Sequence, residues 1–536
     1  MHTWQRCLVA GVAAVSVAAC SDGLTVVNDN SPDADRALNR PTDVENLIKA
    51  SFSTAYGTTL GNANLYAQMI CLGMENYSNL ANFGMGTRSG IPRPPISNNR
   101  NNATAGENYG PYLGLHRAAR AAALGLSRVN QPTFTFFPAS PSQVARAKAF
   151  AHFVIGYSVG YAALAYDSVA TPNPGDDLTL NAALPLVDAA SAMTYALNEL
   201  DSAIAYAGAM GTQTLTGWVD VGTAMSGAQF IRYVRGHKAR FRANLPRDPA
   251  GAAGVDWVAL EGDAAAFLTT FPNGFTMQLQ PAAGFGMNWL INHYSSNSVN
   301  WHQIWGFWGF ADTSGAYDAW LNTAVALRAP YVIATSDLRW PRGTTRAAQQ
   351  AAPGTMIENR ATGDDWFGDN LGNSQYRHIR TLALRNANII GLYAYMPAGE
   401  IRMLQAEARY RQNNFTGAAT LINVSRIANG LPAVNEITTT AATIVPGSAN
   451  GCIPRTPQGP SFTAAACATL LEALKYEKRM ETWFTHWGAW FFDGRRWGDL
   501  PEGTPVEWPV PYQEMDTRLQ SFYSISGTTA KGTYGL

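Results

Sequence analysis

The chain has 536 residues, enough for two or more domains, and carries no net charge at pH 7. With 46% hydrophobic and only 14% charged residues it can bury a large core, which argues against extended disorder. Charge balance also excludes charge-driven nucleic-acid binding, which requires a basic face.

The first element is a targeting segment. Arg6 supplies a short positive region, and Cys7 to Ala19 is an apolar run too short to span a bilayer but suited to a signal peptide. It ends in Val17-Ala18-Ala19 directly before Cys20, a pattern that resembles a lipoprotein signal. The plainer alternative is an ordinary secretory signal with an incidental cysteine. On the lipoprotein reading residues 1–19 are removed and Cys20 becomes an acylated N-terminus, its palmitate-type chains burying methylenes worth about 0.8 kcal/mol each. Residues 20–39 then form a flexible tether, and no later stretch is apolar enough to span. Asp22 soon after Cys20 resembles a surface-export signal, so the expected location is the outer membrane, facing outward.

Residues 40–536 read as a single mainly α domain, with a helical scaffold over about 40–270 and 399–536. Thr42 to Tyr56 opens with a Thr-x-x-Glu capping box, Thr42 to Glu45, and puts Val44, Leu47, Ile48 and Phe52 on one face. Helices are expected over Asn108–Val129, Ser142–Asp167, Leu186–Ala207, Ala228–Asn244 and Asp256–Leu268. From about 271 to 398 periodicity fades, and Gly, Asn, Trp and Phe accumulate. That stretch is expected to be a loop-rich excursion with short helices and a small hairpin. Gly399–Gln412 and Phe415–Asn429, joined by Asn413-Asn414 and stopped by Gly430, match a tetratricopeptide-type helix pair, although no strict repeat is present. Ala468–Trp490 is expected as the last long helix, and Pro509-Val510-Pro511 as an extended segment. Cys452 and Cys467 flank a Pro- and Gly-containing loop, and a bridge between them would be worth about 3 kcal/mol in the chain-entropy model. Cys71 is expected to be a buried structural thiol.

Several stretches together resemble the SusD/RagB family of outer-membrane nutrient-binding lipoproteins. They are the Cys20 lipobox followed by Pro32; Val44-Glu45-Asn46-Leu47; Asn108 to Leu113; Ala147 to Phe150 with Tyr157, Tyr161 and Asp167; Ile422-Asn423-Val424 through Arg426 to Gly430-Leu431; and Glu477, Arg479 and Glu481 followed by Asp493 to Leu500. Their order and spacing, rather than any one of them, carry the resemblance, which covers nearly the whole chain. It implies tetratricopeptide-like helix pairs supporting an irregular binding region. It also implies a role as the lid of a TonB-dependent transporter barrel, with an oligosaccharide or a peptide as ligand.

Aromatic residues concentrate between Gly284 and Trp320. Trp289, Tyr294, Trp301, Trp305, Trp308 and Trp320 offer flat faces for the C–H face of a pyranose ring, and Asn288 and His302 offer neutral polar partners. Trp301, Trp305 and Trp308 also fall on one helical face, so core packing explains them equally well. Tyr77, Tyr109 and Tyr112 form a second candidate group. Trp483, Phe484, Trp487, Trp490, Phe491 and Phe492 are assigned to core. Glu477, Arg479, Glu481, Asp493, Arg495 and Arg496 are assigned to internal ion pairs. Asp364, Asp365, Asp369 and Asn370 lack EF-hand spacing, so a solvated acidic loop is expected there rather than a calcium site. No metal, cofactor or catalytic motif is found, and none is expected. An exported helical glycoside hydrolase remains an alternative, because its carboxylate pair leaves no local signature.

Overall fold

The computed structural model describes residues 38–61, 64–76, 84–138, 140–173, 176, 184–287, 309–361, 374–447 and 451–535. The scaffold begins with α1 (Pro41–Thr59) and α2 (Asn64–Leu72), followed by α3 (Ala105–Asn130), α4 (Pro141–Ala165) and α5 (Ala189–Ala207). Then come α6 (Gly227–Asn244) and α7 (Trp257–Thr270). After the excursion follow α8 (Ala398–Arg411), α9 (Phe415–Ala428), α10 (Leu470–Thr482), α11 (Ala489–Trp497) and α12 (Tyr512–Thr517).

Side-chain caps set several helix starts. Asp188, Ser226 and Asp256 each accept a hydrogen bond from a backbone N–H three residues on, and Ser226 with Gln229 forms a full capping box. The box expected at Thr42 does not form. Pro41 occupies the first helical turn, where its missing N–H costs nothing, and Arg40 becomes the N-cap without a side-chain bond. Glu45 turns away to Arg146 on α4, 2.7 Å distant. The expected helix at Leu186 begins instead as a short strand, β2 (Leu186–Asp188), paired with β1 (Ser168–Ala170).

The helices pack in sequence: α1 on α3, α3 on α4, α4 on α5, α6 on α7, and α7 on α8. Helix α4 is apolar almost all round and buried along most of its length, as expected for a central helix. Gly160 is required there, since a Cβ would strike the Phe241 ring of α6. Asn413, at φ 60°, turns the chain so that α9 returns against α8, and the Asn414 side chain caps Gly417 N–H at 2.9 Å. Gly430, at φ 77°, ends the pair as expected. A satellite core of Met403, Ile422 and Leu474 locks α8, α9 and α10 together.

The excursion is closed at its base by β3 (Gly274–Leu279) and β6 (Gly391–Pro397), antiparallel and in register from Gly274↔Pro397 to Leu279↔Gly391, with one irregularity at Phe275/Thr276. A smaller pair, β4 (Ile357–Asn359) with β5 (Tyr376–His378), lies within it. The hairpin β7 (Arg455–Pro457) with β8 (Ala465–Cys467) follows α9. Among the described residues no helix is long and apolar enough to cross a membrane.

The last long helix is two helices. Phe484 and Gly488 both take positive φ, 52° and 73°, which ends α10 and turns the chain into α11. The break lets Trp483, Phe484, Trp487, Trp490, Phe491 and Phe492 all enter the core, each no more than 2% exposed. The expected ion pairs exist, but mostly with distant partners. Glu477 holds Arg339 at 2.8 Å, Arg479 holds Asp499, and Arg496 holds Glu407 at 2.8 Å and Asp493 at 2.7 Å. Arg495 and Glu481 depart from the expectation: Arg495 donates to the carbonyls of Val506 and Asn244, and Glu481 accepts from Ser425.

Candidate functional site

Of the ligand-contact candidates, Tyr77, Asn288, Trp289, Tyr294, Trp301, His302, Trp305 and Trp308 lie outside the described residues, as does the lipidation candidate Cys20. So do Asp364, Asp365, Asp369 and Asn370. The structure places Trp320, Tyr109 and Tyr112, the two bridging cysteines and Cys71.

Trp320 lines a cleft of about 610 Å3, a size suited to a small ligand. The cleft is assembled locally by one carboxylate. Asp312 is fully buried; its Oδ1 accepts from Ser314 Oγ at 2.8 Å and Ala334 N–H at 3.1 Å, and its Oδ2 from Tyr317 N–H at 3.1 Å. These bonds fix the start of a short helix, Ala316–Asn322, which presents Tyr317 and Trp320 side by side, their ring centroids 6.0 Å apart. Gly309 leaves room for the Tyr317 ring against the backbone. Burial raises the Tyr317 hydroxyl far above its usual pKa, so it stays protonated.

Three further parts of the chain complete the cleft. Asp318 accepts from Arg455 at 2.7 Å and from Ala465 N–H at 2.7 Å, tying the short helix to the β7–β8 hairpin. The Cys452–Cys467 bridge closes that hairpin, as expected from the sequence, and its loop places Phe462 at the cleft. The C-terminal stretch adds Lys531 and Tyr534; the Tyr534 ring packs on Phe310 at 4.8 Å and its hydroxyl bonds Glu472. Tyr317, Trp320 and Tyr534 are buried and Phe462 is half-buried, while Asn322, Ser461 and Thr463 are exposed at the rim. Arg328 lies over the Trp320 ring, 4.1 Å from its centroid, and Lys531 over Phe462 at 5.4 Å. Phe462 and Tyr534 carry no local signal for the cleft, because they join Trp320 only through folding.

Removing the bridge with C452S/C467S is expected to lower the unfolding free energy by about 3 kcal/mol, because its fifteen-residue step restricts the unfolded chain. Denaturation midpoints of wild type and variant check this; equal midpoints would show that the loop is ordered without the bridge.

Tyr112 lies elsewhere, in a smaller cavity of about 230 Å3 beside α3 and α12. It is 2% exposed, packs at a tilt on His116 with ring centroids 4.1 Å apart, and meets Tyr166 edge-on at 4.9 Å. His116 Nε2 accepts from Ala170 N–H at 3.1 Å, so its proton sits on Nδ1 and is donated to the Tyr112 carbonyl at 2.7 Å. Burial lowers the His116 pKa, which keeps the ring neutral. Tyr109 is half-buried on α3. Trp320 and Tyr112 therefore line separate cavities. Cys71 is buried, and its carbonyl accepts from Arg93 at 3.3 Å. No cluster of three or more His, Cys, Asp or Glu among the described residues is arranged to hold a metal ion.

Helix pairs supporting a loop-rich excursion with an aromatic cleft define a mainly α, tetratricopeptide-like protein of the SusD-like fold. No family model and no curated protein matches the sequence. Solved structures do match. A SusD superfamily protein from Bacteroides vulgatus ATCC 8482 aligns with a TM-score of 0.54 at 10% identity, over 90% of this chain and 90% of that one. A SusD superfamily protein from Bacteroides thetaiotaomicron VPI-5482 aligns with 0.53 at 13% identity, over 86% and 90%. A SusD homolog from that same strain aligns with 0.52 at 13% identity, over 92% and 99%. At such low identity the likeness establishes the fold, and the chain has the fold of these proteins over nearly its full length.

Proposed function

We propose that the protein is a surface lipoprotein that binds a nutrient oligosaccharide and hands it to a TonB-dependent transporter in the outer membrane. The observation that carries this reading is the make-up of the cleft, in which aromatic rings meet exposed amide and hydroxyl groups in the space a few sugar residues need. The SusD-like fold and the Cys20 lipobox support the setting. Glu502 is the one carboxylate among the described residues lining the cleft, whereas glycoside hydrolysis uses two, about 5–9.5 Å apart. That favours capture over cleavage.

Incubating the purified chain with a glycan panel separates the readings: retained, unaltered sugar is expected. Phe462→Ala should weaken binding about tenfold with little effect on folding, since the ring is half-exposed on a loop. Released products would point instead to the hydrolase, and peptide binding without sugar binding to a peptide receptor. Mass spectrometry of the mature N-terminus tests acylation of Cys20, and co-purification of a large β-barrel tests the transporter partnership.

A further inference from the structure

The positive charges of this chain are, for the most part, closely matched when they leave water. Arg240 faces Glu400 at 2.8 Å, Arg339 faces Asp337 and Glu477, and Arg496 faces Glu407 and Asp493. Next to the cleft itself, Arg455 is matched by Asp318. Two cations line the cleft without such a match, the half-buried Arg328 and the exposed Lys531. Neither forms an ion pair with a carboxylate of the described residues. Glu502 lines the same cleft without engaging either of them, so two cations stand against one carboxylate.

Both cations are held in place by weaker contacts. The Arg328 Nε donates to the Thr323 carbonyl at 3.1 Å and its Nη2 to the Leu321 carbonyl at 3.1 Å, while the plane of the group lies against Trp320. These contacts fix the guanidinium and leave Nη1 without an acceptor among the described residues. Partial burial lowers the Arg328 pKa, the mark of a cation whose hydration has been stripped without a full replacement. An incoming anion would restore what was lost. Lys531 rests over Phe462, and its ammonium group is exposed at the rim. Ring faces and positive charge thus converge at one place, a combination suited to a ligand with both an apolar sugar face and a negative charge.

We infer that the oligosaccharide bound in this cleft is acidic, its carboxylate or sulfate groups met by Arg328 and Lys531 and its ring faces by the neighbouring aromatics. This rests on the proposal that the cleft is the glycan site.

The test is a direct binding measurement on the intact chain with three hexasaccharides: oligogalacturonate, its methyl ester, and a sulfated galactan fragment. At least one acidic probe is expected to bind ten times or more tightly than the neutral methyl ester. That preference should shrink as salt rises from 20 to 300 mM, because ionic strength screens exposed charges. R328Q and K531Q should each cut the acidic-to-neutral affinity ratio severalfold. K531Q alters an exposed position, so it decides the matter even if R328Q, which loses two backbone bonds, folds poorly. Binding of the methyl ester as tightly as both acidic probes, with ratios unmoved in K531Q, would overturn the acidic assignment and leave glycan binding standing. Absence of binding to all three and to a wider neutral panel would overturn both.

Discussion

Glu407→Gln is expected to lower the unfolding free energy by about 3–5 kcal/mol at neutral pH, the usual cost of removing one partner from a buried ion pair. Glu407 on α8 has no exposed side-chain surface. It accepts from Arg496 Nε at 3.1 Å and Nη2 at 2.8 Å, and from the Trp497 indole N–H at 2.9 Å. Glutamine keeps the shape but leaves Arg496 and Lys478 buried, with Asp493 alone to balance them. The effect should depend on acidity in a defined way. Burial by itself raises the Glu407 pKa; Arg496, Lys478 and the Arg496 hydrogen bonds outweigh it and bring the group down from 4.5 to about 2. A depressed folded-state pKa means that its stabilisation is complete above about pH 4.5 and is lost as pH falls toward 2. Urea denaturation at pH 7 and pH 3 should therefore show a smaller gap between wild type and variant in acid. A gap below about 1 kcal/mol at both pH values would mean that the pair merely cancels its own desolvation.

Glu75→Gln is expected to act in the opposite direction and to stabilise the protein. Glu75 is fully buried; its Oε1 accepts from Phe484 N–H at 2.6 Å, and its Oε2 has no hydrogen-bond partner among the described residues. Here burial dominates, and Asp493 adds to it, so the pKa rises from 4.5 to about 8 despite the bond from Phe484. A raised folded-state pKa means that stability is fully present below about pH 4.5 and is lost as pH rises through about 8. Glutamine resembles the protonated acid in shape and cannot titrate. The gain over wild type should be absent near pH 4, reach about 3 kcal/mol at pH 7, and level off above pH 8. Thermal melts across that range check it. A variant that is less stable at pH 7 would show that the carboxylate is ionised and paired in the folded state.

The two carboxylates illustrate how far the sequence could be read. Glu407 and Glu75 look alike in the chain, yet one faces Arg496 from 89 positions away and the other faces Phe484 from 409. Charge state follows from such distant encounters, which leave no local trace. Local signals were read more faithfully. Gly430 stops α9, Asn413 turns it, and the Cys452–Cys467 bridge forms across the loop that suggested it. A local signal misleads where two local rules compete. At the start of α1 the ring of Pro41 prevailed over the Thr42–Glu45 box. Near Phe484 a dense aromatic cluster conceals a backbone turn, because burial on both sides of the turn demands the same large hydrophobic side chains. The cleft was visible only in part. Trp320 stood out by composition, whereas Phe462, Lys531 and Tyr534 reach it from other regions, and Tyr112 went to a different cavity.

The antiparallel ladder between Gly274–Leu279 and Gly391–Pro397 has an evolutionary corollary. Because the ladder pins both ends of the intervening chain, the closure entropy of that chain grows slowly with its length, by about 0.6 kcal/mol for each doubling. The insert is bolted to the scaffold at a few points, since Arg339 within it pairs with Glu477 of α10 and Asp318 with Arg455 of the β7–β8 hairpin. Length is therefore free to vary between those anchors, whereas the residues that carry them have to be kept if the insert is to stay docked.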